Sequence, residues 1–176
     1  SIEFYYKRMQ DLITYSEGSN ILGTNFTSWE DRIDLGGFGE AQGVELFFKK
    51  NKGALTGWIG YTLSKSIRQF KGVNLGREYP YKFDRTHDIS IISNYRVNDQ
   101  LSFSATWTYG TGNAITMPIA QYLLTNGDGF NEYFEYGTKN DFRLPAYHRL
   151  DISCNFTKQK NKSTSNWSIG IYNVYN

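Results

Sequence analysis

The sequence has one cysteine, two histidines and charges that nearly cancel at +2. Its hydrophobic runs are short. A transmembrane helix needs about 20 apolar residues in succession, whereas Phe4-Tyr5-Tyr6, Leu46-Phe47-Phe48 and Tyr122-Leu123-Leu124 each stop at three. The lone thiol, Cys154, excludes an internal disulfide and fits no zinc spacing, so it reads as a small apolar side chain on a buried or lipid-facing surface. The balanced charge leaves no clustered basic stripe, the usual footprint of a nucleic-acid partner. Ser1 opens into Ile2-Glu3-Phe4 without an initiator Met, a basic segment or an apolar segment. No targeting signal is read there, and the expectation is a processed start or a piece of something longer.

What is present in excess is aromatic: 4 Trp, 14 Tyr and 12 Phe among 176 residues. A disordered chain is depleted in such residues and carries a strong net charge, so the length and composition describe one ordinary folded domain. The mean hydropathy of -0.55 fits a polar domain until the residues are sorted by parity.

The dominant period is two, which no helical face can produce. Leu101, Phe103, Ala105, Trp107 and Tyr109 alternate with Ser102, Ser104, Thr106, Thr108 and Gly110. Leu150, Ile152, Cys154 and Phe156 alternate with Arg149, Asp151, Ser153 and Asn155. Residues 55 to 64 and 88 to 97 repeat the pattern, with shorter matches at 43 to 48 and 167 to 172. Residues 2 to 14 read as a strand of ambiguous facing. Seven strands are expected, arranged as an all-β antiparallel meander.

The connections alternate too. Residues 16 to 38, 69 to 86 and 113 to 145 are long, while 51 to 53, 98 to 100 and 159 to 166 are short, so one end of the sheet carries turns and the other carries loops. Outer-membrane barrels have this asymmetry, whereas soluble sandwiches mix loop lengths. Near each short turn an aromatic stands on the apolar face: Phe48, Tyr95, Phe103, Phe156 and Trp167. These five are expected to form one ring at the inner membrane interface, an aromatic girdle. The opposite face, mostly Ser, Thr, Gly and Asn, suits a hydrated or polar-filled lumen.

Five segments carry a resemblance: Gly39-Glu40-Ala41-Gln42-Gly43-Val44-Glu45-Leu46, Gly60-Tyr61-Thr62-Leu63-Ser64-Lys65-Ser66, Tyr79-Pro80-Tyr81-Lys82-Phe83-Asp84-Arg85-Thr86-His87-Asp88, Leu144-Pro145-Ala146-Tyr147-His148-Arg149-Leu150-Asp151, and Gly170-Ile171-Tyr172-Asn173-Val174-Tyr175-Asn176. In this order, across nearly the whole chain, they resemble the C-terminal barrel of TonB-dependent outer-membrane receptors. The resemblance implies a barrel of about 22 strands, occluded by an N-terminal plug and importing a scarce nutrient such as a siderophore, vitamin, glycan or peptide. Residues 1–176 then form a partial barrel domain without plug or terminal strand, about a third of the wall. Its implied partners are the remainder of the barrel and plug, the TonB energy-coupling complex, membrane lipid and lipopolysaccharide, and a surface lipoprotein, with no nucleic acid. Its implied location is the bacterial outer membrane. Two other functions stay open: a small self-contained outer-membrane barrel or adhesin, and a soluble carbohydrate-binding β-sandwich.

No catalytic nucleophile stands at a recognisable elbow and no two-His spacing fits a metal, so no enzyme activity and no cofactor is read from the sequence. His87, beside Asp84 and Asp88, and His148, near Asp151, stand where a strand meets a long loop and read as hydrogen-bonded interfacial residues. Asp84-Arg85 resembles the family's acid-base pair, and Asp84, Arg85 and His87 read as a clamp between loop and strand. Gly36-Gly37-Phe38-Gly39 precedes a strand rather than a helix, so bends at a barrel rim are expected there and not a phosphate cradle. Residues 113 to 145 are too long for a mere connector. Within them Asn126, Asp128, Tyr133 and Tyr136 are candidate ligand-facing residues, and a loop simply solvated and packed on its neighbours fits equally well.

Overall fold

The computed structural model describes residues 1–15, 30, 33–125 and 130–175. Its strands are β1 (Ile2–Tyr15), β2 (Ile33–Lys50), β3 (Leu55–Gln69), β4 (Tyr79–Pro80), β5 (His87–Arg96), β6 (Leu101–Gly110), β7 (Ala114–Ile115), β8 (Pro118–Thr125), β9 (Phe130–Tyr136), β10 (Phe142–Arg143), β11 (Tyr147–Lys160) and β12 (Ser163–Ile171). The main sheet is antiparallel throughout in the order β1-β2-β3-β5-β6-β11-β12, with β4 added to β3. Two small antiparallel pairs, β7 with β10 and β8 with β9, lie in the last long connection.

The seven long strands are the seven expected from alternation, and the short turns and long loops fall at opposite ends as read. Three boundaries differ. β2 begins at Ile33, inside residues read as loop, because bulges at Asp11 and Gly36 shift the pairing and hide the alternation there. β11 and β12 continue to a turn at residues 161 and 162, because Thr157 to Ser165 are polar on both faces and carry no parity signal. The long segment 113 to 145 is not structureless but holds β7 to β10.

Register decides which side each face looks to, since directly paired residues of an antiparallel ladder share a face. Phe48, Ile59, Ile91, Trp107 and Leu150 pair in succession across five strands. The next row toward the loops is Ile2, Leu46, Tyr61, Ile89, Tyr109 and His148. Toward the turns come Ser93, Ala105, Ile152 and Ile171, then Leu55, Tyr95, Phe103, Cys154 and Ile169. The apolar faces read separately from the sequence therefore coincide on one side, and β1, ambiguous in sequence, adds Ile2, Phe4 and Tyr6 to it.

The other side carries Thr, Ser, Asn and the charges. Here the Ser104 hydroxyl lies 3.4 Å from Asn94 Oδ1, Asn155 Nδ2 donates to Ser104 Oγ at 3.3 Å, and Ser168 donates to Asn155 Oδ1 at 2.7 Å. These short side chains lace β5, β6, β11 and β12 together without a packed layer above them. Phe47 and Trp58 also lie on this side, their rings 5.8 Å apart.

Nothing among the described residues covers the apolar side. The buried hydrophobic residues are Phe70, Val73, Tyr79 and Ala114, all in the long connections, whereas Phe48 is 68% and Trp167 70% exposed. A soluble domain of two packed layers would bury one sheet face against the other. Seven strands about 4.8 Å apart and about ten residues tall present an apolar area on the order of 1,000 Å². A monomeric soluble protein rarely exposes more than a few hundred.

The five aromatics expected to form a girdle all lie on the apolar side, but not on one hydrogen-bonded row. Phe48 shares its row with Leu150, and Phe156, paired with Trp167, stands six residues farther along β11. Tyr95 and Phe103, directly paired, lie on a row between. From Phe48 to Trp167 the line descends about 20 Å over five strand spacings of about 24 Å in total, a slope of about 40°. The loop ends descend the same way. The sheet is thus sheared, and a level ring of aromatics requires its strands to tilt by about that angle, which is the tilt of closed membrane barrels.

Candidate functional site

Three elements meet at the long-loop end. β2 and β3, 18 and 15 residues long, are longer than β5 and β6, with 10 residues each, and project beyond them at the loop end. Paired bulges bend this projection: Asp11 and Gly36 have φ of 53° and 70°, a left-handed conformation that glycine adopts without strain. Gly37 follows, buried against the ring of Phe70, which would collide with any Cβ at that position. Phe70, Val73 and Tyr79 form a small core there with Leu12 against it, on the polar side of the sheet.

The loop carrying Asp84 and the loop carrying Arg143 are riveted together. Asp84, 4% exposed, accepts from the Ser66 backbone N–H and from Arg143 Nη2. Arg143 Nη1 donates to the carbonyls of Asp84 at 2.8 Å and Gly112 at 3.3 Å. Buried Asn140 binds both loops as well, its Nδ2 donating to Pro80 O at 2.9 Å and its backbone N–H to Thr116 Oγ1 at 3.1 Å. Gly112 approaches the Leu144 carbonyl so closely that a Cβ would overlap it.

The three residues read as a clamp go to separate partners. Asp84 and Arg85 do not pair with each other: Asp84 goes to Arg143, and Arg85 Nη1 lies 3.1 Å from Asp88 Oδ2. Chain direction explains the change, because Asp84 turns inward beneath the loops while Arg85 stays half exposed on the polar side. His87 sits on the apolar side at the loop end of β5, its Nδ1 2.9 Å from the Tyr61 hydroxyl, with the two rings stacked. His148 stands correspondingly at the start of β11, edge-on to Tyr175 with centroids 5.0 Å apart.

Between β1, β3 and these loops lies a cavity of about 850 Å³. Leu12, Phe70 and Tyr79 supply an apolar wall, while Arg68, Lys82 and Lys139 supply charge. Arg68 lies 4.2 Å from the Tyr81 ring centroid and Lys82 Nζ 4.8 Å from that of Phe83. This volume suits a small molecule, and concave, mostly apolar sites with a few placed polar groups are what such ligands occupy.

Of the ligand-facing candidates, Tyr133 and Tyr136 do not line it. Asn126 and Asp128 lie outside the described residues. Tyr133 and Tyr136 are exposed on the β8–β9 hairpin, opposite Tyr122 and Pro118. There the Tyr122 hydroxyl donates to Glu135 Oε2 at 2.7 Å, and that hydrogen bond to a carboxylate raises the tyrosine's pKa above its ordinary value. The cavity's cations went unread in sequence because they come from three separate segments. The one local signal was the pairing of Lys82 with Tyr81 and Phe83 inside a segment already singled out.

Among the described residues no group of three or more His, Cys, Asp or Glu side chains is placed to hold a metal ion, and no helix is long and apolar enough to cross a membrane. The chain matches no protein-family model, no curated protein and no solved structure.

Proposed function

We propose that this sheet is a sector of the wall and extracellular mouth of a TonB-dependent nutrient importer in the bacterial outer membrane, with no catalytic chemistry of its own. The observation that carries the reading is the coincidence of seven apolar faces on one uncovered side, stepped at about 40° with an aromatic at each turn end. Lipid is the covering that such a face accepts without a second protein layer. The unpaired edges, β1 and β12, call for further strands, since an unsatisfied backbone group in hydrocarbon costs several kcal/mol. A barrel of about 22 strands with a plug in its lumen supplies them, and the Ser/Thr/Asn side faces that plug. The remainder of the barrel, the plug, the TonB complex, lipopolysaccharide and a surface lipoprotein are then the partners.

Fractionation of cells that make the protein tests this. The expected result is recovery with the outer membrane and release only by detergent. Recovery in the aqueous fraction without detergent contradicts the reading and favours a soluble protein whose apolar face is covered by other protein.

A further inference from the structure

We propose that the short-turn end of the sheet binds anionic phospholipid, its phosphates held by lysines that stand just past the turn-end aromatics on the apolar side. This deepens the membrane reading above and rests on it, naming the lipid that the wall selects in the leaflet its turns reach.

The charges are segregated along the sheet. Residues 49–54, 96–100 and 157–163 hold the three short turns and the strand ends beside them, and they carry seven of the chain's 19 Lys and Arg but only one of its 17 Asp and Glu. The cations are Lys49, Lys50, Lys52, Arg96, Lys158, Lys160 and Lys162, all exposed, and the acid is Asp99. Solubility of a turn is served by either sign, and the rest of the chain holds more acid than base. A surface of one sign attracts partners of the other.

Register places three of these lysines at the depth of lipid phosphate. Lys50 follows Phe48 by two residues on β2, and Lys158 follows Phe156 by two on β11, each on the apolar side and about 7 Å nearer the turn. The row of Lys50 runs through Gly57, Ser93 and Ala105 to Ile152, six residues above Lys158. The lysines thus descend the same staircase as the aromatics, one step lower. Aromatic rings settle at the membrane interface, and a lysine beyond them lays its stem along the apolar surface and its ammonium among the headgroups. The hairpin of β11 and β12 carries the densest cluster. There Phe156 faces Trp167, and Lys158 and Lys160 follow on the same side. Two ammonium groups so close repel each other, and a phosphate between them relieves that repulsion. A zwitterionic headgroup brings an ammonium of its own and offsets the attraction. Lys49, paired with Trp58, and Arg96, paired with Ser102, face the polar side and stand away from lipid.

The protein, extracted with detergent, is reconstituted in phosphatidylcholine bilayers holding a trace of spin-labelled phosphatidylglycerol or spin-labelled phosphatidylcholine. Electron spin resonance reads the share of each label immobilised at the protein surface. Phosphatidylglycerol is expected to associate about fivefold more strongly than phosphatidylcholine, the effect of about one lysine near anionic lipid, and to lose most of that preference in about 1 M salt. Lys50→Gln, Lys158→Gln and Lys160→Gln combined should abolish the preference, whereas Lys49→Gln with Arg96→Gln should leave most of it. Equal immobilisation of the two lipids by the unaltered protein overturns the proposal and leaves the sheet in the membrane. A preference removed as fully by the polar-side pair as by the three apolar-side lysines overturns it too. No immobilised lipid of either kind removes the membrane reading, and this proposal with it.

Discussion

Asp84 and Arg143 form an ion pair across 59 residues of sequence, the carboxylate 3% exposed and the guanidinium about one-third exposed. The same guanidinium binds two carbonyls, so one side chain closes the loop after β4 against the loop that leads into β11. Removing the arginine strands a buried carboxylate, which costs about 3–5 kcal/mol. Arg143→Met should therefore loosen both loops, read as faster cleavage near residues 81 to 86 and 138 to 146 in limited proteolysis. Asp84→Asn leaves a neutral acceptor for the Ser66 N–H and should cost less, about 1–2 kcal/mol. The reverse order would show that the carboxylate is not buried in the assembled protein.

Substitutions on neighbouring residues of one strand distinguish the two faces. Ile152 lies on the apolar side near mid-height of the sheet, so on the proposed reading Ile152→Lys should lose about 2–4 kcal/mol in unfolding from lipid bilayers. Phe103 lies on the same side at the aromatic belt, and Phe103→Lys should lose about 1 kcal/mol or less, because the penalty falls toward the interface. Ser104→Lys and Ser153→Lys, on the polar side, should be tolerated. Equal losses at Ile152 and Ser153 would argue for a core packed on both faces.

The Tyr122–Glu135 hydrogen bond gives the β8–β9 hairpin a pH dependence at the alkaline end. Tyrosine donates this bond only while protonated, and its pKa is raised above the ordinary value of about 10. The folded hairpin thus holds its proton longer than the unfolded one, so the bond's contribution is complete below about pH 10 and is lost as pH rises through the folded pKa. Phenolate absorbance should show this tyrosine ionising later than tyrosines without a carboxylate partner, and Glu135→Gln should bring it back. A titration unchanged by Glu135→Gln would show that the bond is absent.

Most of the sheet was legible because period two is a direct signature of a face. Leu101 to Gly110 alternates without a break, and its strand appears with those bounds in the structure. Legibility failed where alternation is interrupted or uniform. At Asp11 and Gly36 two facing bulges each shift the parity, and from Thr157 to Ser165 both faces are polar. Parity picks out the five aromatics near the turns but not their staircase, because relative height depends on register between strands, which one strand's sequence does not carry. The cavity was the least legible part. Arg68 ends a strand, Lys82 and Lys139 sit in different loops, and contacts such as the Asp84–Arg143 rivet and the Asn140 hydrogen bonds bring them round one hollow.

Tryptophan quenching by brominated lipid tests the central claim most directly. Trp107 and Trp167 lie on the apolar side, at mid-height and at the belt, and Trp58 lies on the polar side beside Phe47. Variants retaining one of these three tryptophans are reconstituted in bilayers with bromine placed either deep in the acyl chains or close to the headgroups. The expected result is Trp107 quenched by deep bromine, Trp167 quenched by shallow bromine, and Trp58 quenched by neither. Trp58 quenched as strongly as Trp107, or all three open to aqueous iodide and indifferent to bromine, would contradict a sheet that turns its apolar face to lipid.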